Sequence, residues 1–138
     1  MGSDEGVDQA LQELSNSKER VLLHCVSHYP SQYEEMNLHC LDALRQRFAL
    51  PVGLSDHTLD NLSAVVAASL GAVMIEKHFT LDRKIPGVDQ SISMEPKDLR
   101  RLKLDVLNVT KTLGEGKKEI QKSEVPVRQS SRRSLVAR

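Results

Sequence analysis

Three short strand-like runs, Val21–Val26, Pro51–Leu54 and Ala72–Lys77, alternate with stretches of helical periodicity, and this order constrains the fold more than any other feature. Val21-Leu22-Leu23-His24-Cys25-Val26 is almost continuously apolar, as suits a strand buried on both faces of a parallel sheet. Before it, Val7, Ala10, Leu11 and Leu14 recur at helical spacing. A second helix is predicted over Glu34–Phe48, with Met36, Leu41, Leu44 and Phe48 as its inner stripe. A third spans Leu62–Leu70, capped by Asp60 or Asn61 and stopped by Gly71. The last begins at Pro96, repeats Leu99, Leu102, Val106, Val109 and Leu113 on one face, and stops at Gly114. The order α-β-α-β-α-β-α describes consecutive βα units with right-handed crossovers.

Such a sheet is incomplete. Three parallel strands with helices on one side leave the other face and both edges uncovered, whereas parallel sheets are normally buried on both faces. Either the chain assembles with something else or it is part of a larger barrel; the α/β fold expected is the second, a partial (β/α)8 TIM barrel with three parallel strands and their helices over residues 1–114, then a basic linker over 115–138. That tail holds seven Lys/Arg against three Glu, a local charge of +4 in a chain whose net charge is zero.

Composition excludes several classes. With 138 residues, 39% hydrophobic and 28% charged, the chain is neither collagen-like, coiled-coil nor wholly disordered. Its longest apolar stretch, around Ala64–Leu70, falls far short of the roughly 20 residues that cross a bilayer. No basic start precedes an apolar run, so no signal peptide is expected and the chain reads as soluble and cytoplasmic. Two cysteines, Cys25 and Cys40, form no C-x-x-C pair and are expected to be reduced core residues. Aromatics are 3% with no Trp, which argues against a nucleic-acid stacking platform.

Functional residues of a βα barrel lie at the C-terminal ends of the strands. Those positions carry Ser27, His28 and Tyr29 after the first strand, Ser55, Asp56 and His57 after the second, and Glu76, Lys77 and His78 around the end of the third. His57 and His78 follow adjacent strands, about 4.8 Å apart. Either they share a divalent metal (Mn, Fe, Co or Zn), completed by Asp56, Glu76, Asp89 or a substrate oxygen, or they are strand-end residues bonded to backbone. Ser55 either binds an anion or stabilises its turn. Tyr29 either contacts substrate or packs beside Pro30. His24 reads as a core histidine, His39 carries no signal, and His28 stays open. The 18-residue loop Phe79–Pro96 is long for a connection, and the bend at Gly87 either carries Asp89 over the mouth or is only structural. No Walker loop, dinucleotide fingerprint or nucleophile elbow occurs.

Four segments together resemble one family. Leu22-Leu23-His24-Cys25-Val26-Ser27-His28-Tyr29-Pro30, Gly53-Leu54-Ser55-Asp56-His57-Thr58, Ile75-Glu76-Lys77-His78-Phe79-Thr80-Leu81-Asp82 and Pro86-Gly87-Val88-Asp89 are similar, in order, to signatures of the sialic acid (nonulosonic acid) synthases. The resemblance implies a transferase that condenses phosphoenolpyruvate with an N-acyl amino sugar. It implies a divalent metal, typically Mn²⁺, on His57 and His78. It further implies that Ser55 and Ser27 bind phosphoenolpyruvate and that Tyr29 and Asp89 lie on the sugar side.

Two departures accompany the likeness. Val88 stands where the family has Pro, and Gln90-Ser91 replace a His-Lys pair. Met1-Gly2 resembles the end of a motif after the fifth barrel strand, and Arg132-Arg133-Ser134-Leu135-Val136 resembles the entry to an antifreeze-like C-terminal domain. The expectation is a partial barrel, inactive alone, acting as a homodimer or with a complementing N-terminal half. A non-catalytic module that binds a partner through its open sheet is the alternative. A metal-dependent hydrolase would want more strand-end carboxylates, and neither nucleic acid nor membrane is an expected partner.

Overall fold

A computed structural model describes residues 2–133. The sheet has three parallel strands in the order β1 (Leu22–Cys25), β2 (Val52–Ser55) and β3 (Ile75–Glu76). The register pairs Leu22 with Val52, Cys25 with Ser55, Leu54 with Ile75, and Ser55 with Glu76. Five α-helices accompany it among the described residues: α1 (Asp4–Glu13), α2 (Cys40–Phe48), α3 (Leu62–Ser69), α4 (Pro96–Leu113) and α5 (Val125–Ser131).

Strand alternation explains where the core sits. Val52 and Leu54 of β2 point to one face and join Met36, Leu41 and Ala67, with Leu22 and Ile75 packed against them. Leu41 and Leu54 are fully buried. Each contributes about 1.5–3 kcal/mol by leaving water. A second cluster, Ala64, Met94 and Leu102, joins α3 to α4. The opposite sheet face carries Gly53, Ser55, Met74 and Glu76; Met74 is 48% exposed and Glu76 is exposed too. The sheet is thus covered by helices on one face, as the element order requires.

Several boundaries differ from expectation. The helix predicted from Glu34 is broken: a 3-10 turn spans Tyr33–Glu35, Asn37 takes φ +39°, and α2 starts only at Cys40. Met36 is buried from that turn and not from a helical stripe, which is why periodicity alone joined the two pieces. The third strand keeps two of its six predicted residues as ladder, although Val73 and Met74 still bond to β2 through Val73 N–Val52 O (3.0 Å) and Leu54 N–Met74 O (2.9 Å). Leu99 and Leu113 of α4 are 46% and 57% exposed. Leu99, in the first turn of α4, lines a hollow beside β3, and Leu113 lines one between α3 and α4, so the stripe is only partly covered. Within the basic segment, α5 forms an exposed helix.

α3 ends as predicted at Gly71, whose φ of +84° needs a residue without a side chain. Gly53 is required for another reason: a Cβ there would stand 2.5 Å from the Met74 carbonyl oxygen and 2.7 Å from Leu23.

Candidate metal centre

The C-terminal strand ends carry the site. The offset of 21 residues between β2 and β3 sets three neighbouring pairs in sequence: Ser55 with Glu76, Asp56 with Lys77, and His57 with His78. Ser55 and its neighbours face alternate sides of the sheet, so the first and third pairs share the open face. Ser55 Oγ donates to Glu76 Oε1 at 2.6 Å. The His57 and His78 ring centroids are 5.3 Å apart, and Tyr29 lies over both, at 4.1 Å from His57 and 5.7 Å from His78. Ser55, His57, Glu76, Lys77 and His78 line a small cavity of about 190 Å³. Larger hollows lie against α1 and between α3 and α4, where helix faces lack neighbours; their size does not mark chemistry.

His57 is oriented by backbone. Its Nδ1 is 2.8 Å from the Val26 carbonyl oxygen, and a carbonyl only accepts, so Nδ1 carries the proton and Nε2 keeps its lone pair. The backbone-bonded reading thus holds for His57, and it is compatible with the metal reading, since metal-ligating imidazoles are commonly fixed through their other nitrogen. The donor set, two imidazoles with one tautomer fixed, fits a divalent ion of the Mn–Zn series. Among the described residues no group of three or more His, Cys, Asp or Glu is arranged for a metal, so further ligands would come from water, substrate or other protein segments.

The remaining predicted residues are placed unevenly. Asp89 Oδ2 is 3.9 Å from His78 Nδ1, close to the pair but beyond hydrogen-bond reach. Ser27 is exposed, its Oγ 4.0 Å from Cys25 Sγ. Asp56, one of the carboxylates considered for the metal shell, is instead buried on the other side and committed to Lys77 and Thr58. His28 pairs with Glu35 at 2.8 Å, and His24 bonds the Met36 carbonyl at 2.8 Å, inside the helix layer. The Glu35 carboxyl is held below its ordinary range by the Gln32 backbone N–H and then by His28.

Sequence reasoning passed over the Asp56–Lys77 pair. The equal spacing of 21 residues that matched His57 to His78 applies equally to it, and that was the available signal.

A parallel βα sheet open on one face, with paired histidines at its strand ends, defines a partial (β/α)8 barrel with a strand-end site. The family description "NeuB family" matches residues 1–118, and the chain belongs to that family. It is 43% identical over 118 residues to an N,N'-diacetyllegionaminic acid synthase of Legionella pneumophila, covering 86% of this chain and 33% of that protein. It is 35% identical over 117 residues to the human N-acetylneuraminate-9-phosphate synthase, covering 84% and 33%. Among solved structures it is similar to the N-acetylneuraminic acid (sialic acid) synthetase of Leptospira borgpetersenii, crystallised with citrate. The TM-score is 0.79 at 37% identity, covering 97% of this chain and 48% of that one. The chain spans about a third of the length of these curated relatives. No described helix is long and apolar enough to cross a membrane.

Proposed function

We propose that the chain is the strand-end, metal-binding part of a nonulosonic acid synthase, a cytoplasmic transferase that joins phosphoenolpyruvate to an N-acyl amino sugar such as N-acetylmannosamine. The observation that carries this reading is the facing of His57 and His78, with His57 Nε2 left free by the Val26 bond. The names of the Legionella and human relatives, both synthases of sugar acids, support the reaction class.

In the proposed reaction C3 of phosphoenolpyruvate attacks the sugar aldehyde carbon, water adds at C2, and phosphate leaves. A divalent ion, Mn²⁺ or a relative, held by His57 and His78, supplies Lewis acidity towards the aldehyde oxygen. Val26 fixes the tautomer of His57 through its carbonyl. Tyr29, packed against the two histidine rings, walls the site on the sugar side. Ser55, oriented by Glu76, contacts phosphoenolpyruvate, and Ser27 lies in the same wall. Asp89 meets the sugar from the loop beside His78.

The described residues bring two imidazoles to the site and no third His, Cys, Asp or Glu arranged with them, so this reading has the chain act with a complementing barrel segment or as a homodimer and be inactive alone. The test is a chimaera in which these residues replace the matching segment of the Leptospira synthetase. Formation of sugar acid and phosphate with Mn²⁺, lost on His57→Ala or His78→Ala, supports the reading. A folded chimaera that consumes no phosphoenolpyruvate contradicts it.

The inner sheet face, on which Met74 and Glu76 are exposed while Gly53 and Ser55 are buried, favours one second reading, a non-catalytic module that docks a partner. Association on gel filtration that rises with concentration and ignores metal distinguishes it.

A further inference from the structure

We propose that the buried Asp56–Lys77 ion pair is a positioning clasp that sets how His57 and His78 face one another. The proposal rests on reading those histidines as a metal centre.

The pair is the most deeply enclosed among the described salt bridges, with side-chain exposures of 0% for Asp56 and 5% for Lys77. Lys77 Nζ donates to Asp56 Oδ2 at 2.8 Å, to the Thr58 carbonyl at 2.8 Å and to the Asp60 carbonyl at 2.9 Å. An ammonium has three donors, and all are used. Asp56 Oδ1 accepts from Thr58 N and Thr58 Oγ1, each at 2.8 Å. No polar side-chain atom buried here lacks a partner among the described residues. Burying such a pair gains little stability over an apolar replacement of the same shape. Its value lies in geometry.

That geometry is specific. The β2–β3 ladder ends with Asp56 N donating to the Glu76 carbonyl at 2.8 Å, one residue before His57 and two before His78. Beyond it, His57 is tied to the first strand's loop through Ser31 N and the Val26 carbonyl, while His78 is tied to Met94 N. Asp56 and Lys77 cross-link the two strand ends on the helix-facing side and anchor the Thr58–Asp60 turn to the same ammonium. The histidines project from the opposite side of the same two backbones. The backbone bonds between β2 and the third strand stop at Glu76, two residues short of His78, and the Asp56–Lys77 pair is the next link across the two strand ends.

The test compares the 138-residue chain with Lys77→Met and with the double variant Asp56→Asn/Lys77→Met. The double variant leaves no charge unpaired, and the amide oxygen introduced at position 56 still accepts from Thr58. Nuclear magnetic resonance on metal-free protein reads the cross-relaxation between the His57 and His78 rings, the protected His57 Nδ1 proton, and the amides of Leu41 and Leu54. Mn²⁺ affinity is read separately by electron paramagnetic resonance. The expected result is a double variant with the core amides unchanged, the ring-to-ring signal lost, and Mn²⁺ affinity reduced about 10–100-fold. An unchanged ring signal in a folded double variant overturns the clasp. So does failure of both variants to fold, which would assign the pair to stability, and so does a wild-type chain without the ring contact. A wild-type chain that shows the contact, loses it in the double variant and yet binds no Mn²⁺ upholds the clasp while refuting the metal centre.

Discussion

His57 and His78 face each other at 5.3 Å because the 21-residue offset that bonds Ser55 to Glu76 continues past the end of the ladder. Parallel register converts that equal spacing in sequence into a pair in space. Side-chain alternation then puts the neighbouring Asp56–Lys77 pair on the opposite side, so one pairing supplies both a polar site and its support.

The packing that holds this register is testable at Leu54, fully buried between β2 and its helices. Leu54→Ala should cost about 2–5 kcal/mol through lost transfer energy and the cavity left behind. Urea unfolding followed by circular dichroism checks it. A loss below about 1 kcal/mol would mean that the α2–α3 layer is not packed as described.

Gly53→Ala adds a methyl where the Met74 carbonyl and Leu23 already stand too close to accept it. The β2–β3 contact must shift, at a cost of about 1–3 kcal/mol. Because the same strands carry His57 and His78, the ring-to-ring signal should weaken as well. The same unfolding series and spectrum measure both effects.

Glu35 supplies a pH test. Its carboxyl is depressed below the ordinary 4.5 by the Gln32 backbone N–H, with His28 second. A depressed carboxylate stabilises the fold above its unfolded value and loses that contribution as pH falls through its folded value. Wild type should therefore exceed Glu35→Gln in stability above pH 4.5, and the gap should close as the solution is acidified further. Unfolding curves across this range test the sign, and carbon-detected titration of the carboxyl locates its midpoint.

Much of the fold was legible because buried parallel strands need apolar runs and amphipathic helices need stripes. The order of elements, the Gly71 stop and the open sheet face all follow from such patterns. The Glu34–Phe48 helix did not, since Met36 fits a helical stripe but reaches the core from a turn closed by Asn37 at positive φ. The exposure of Leu99 and Leu113 on α4 was also hidden, because periodicity reports a face without reporting what covers it. At the site, the two histidines were visible from their positions after adjacent strands. The 21-residue spacing also pairs Asp56 with Lys77, but it does not say which side they face, because a strand-end carboxylate looks the same in sequence whether it faces the open side or the helices.

The most direct test of the metal centre is a Mn²⁺ titration of the chain by electron paramagnetic resonance, alongside His57→Ala and His78→Ala, with circular dichroism on the same samples. The account predicts binding near one equivalent by the wild-type chain and loss of binding in each variant while the fold is kept. A folded wild-type chain that binds no Mn²⁺, or variants that bind as well as wild type, would contradict it.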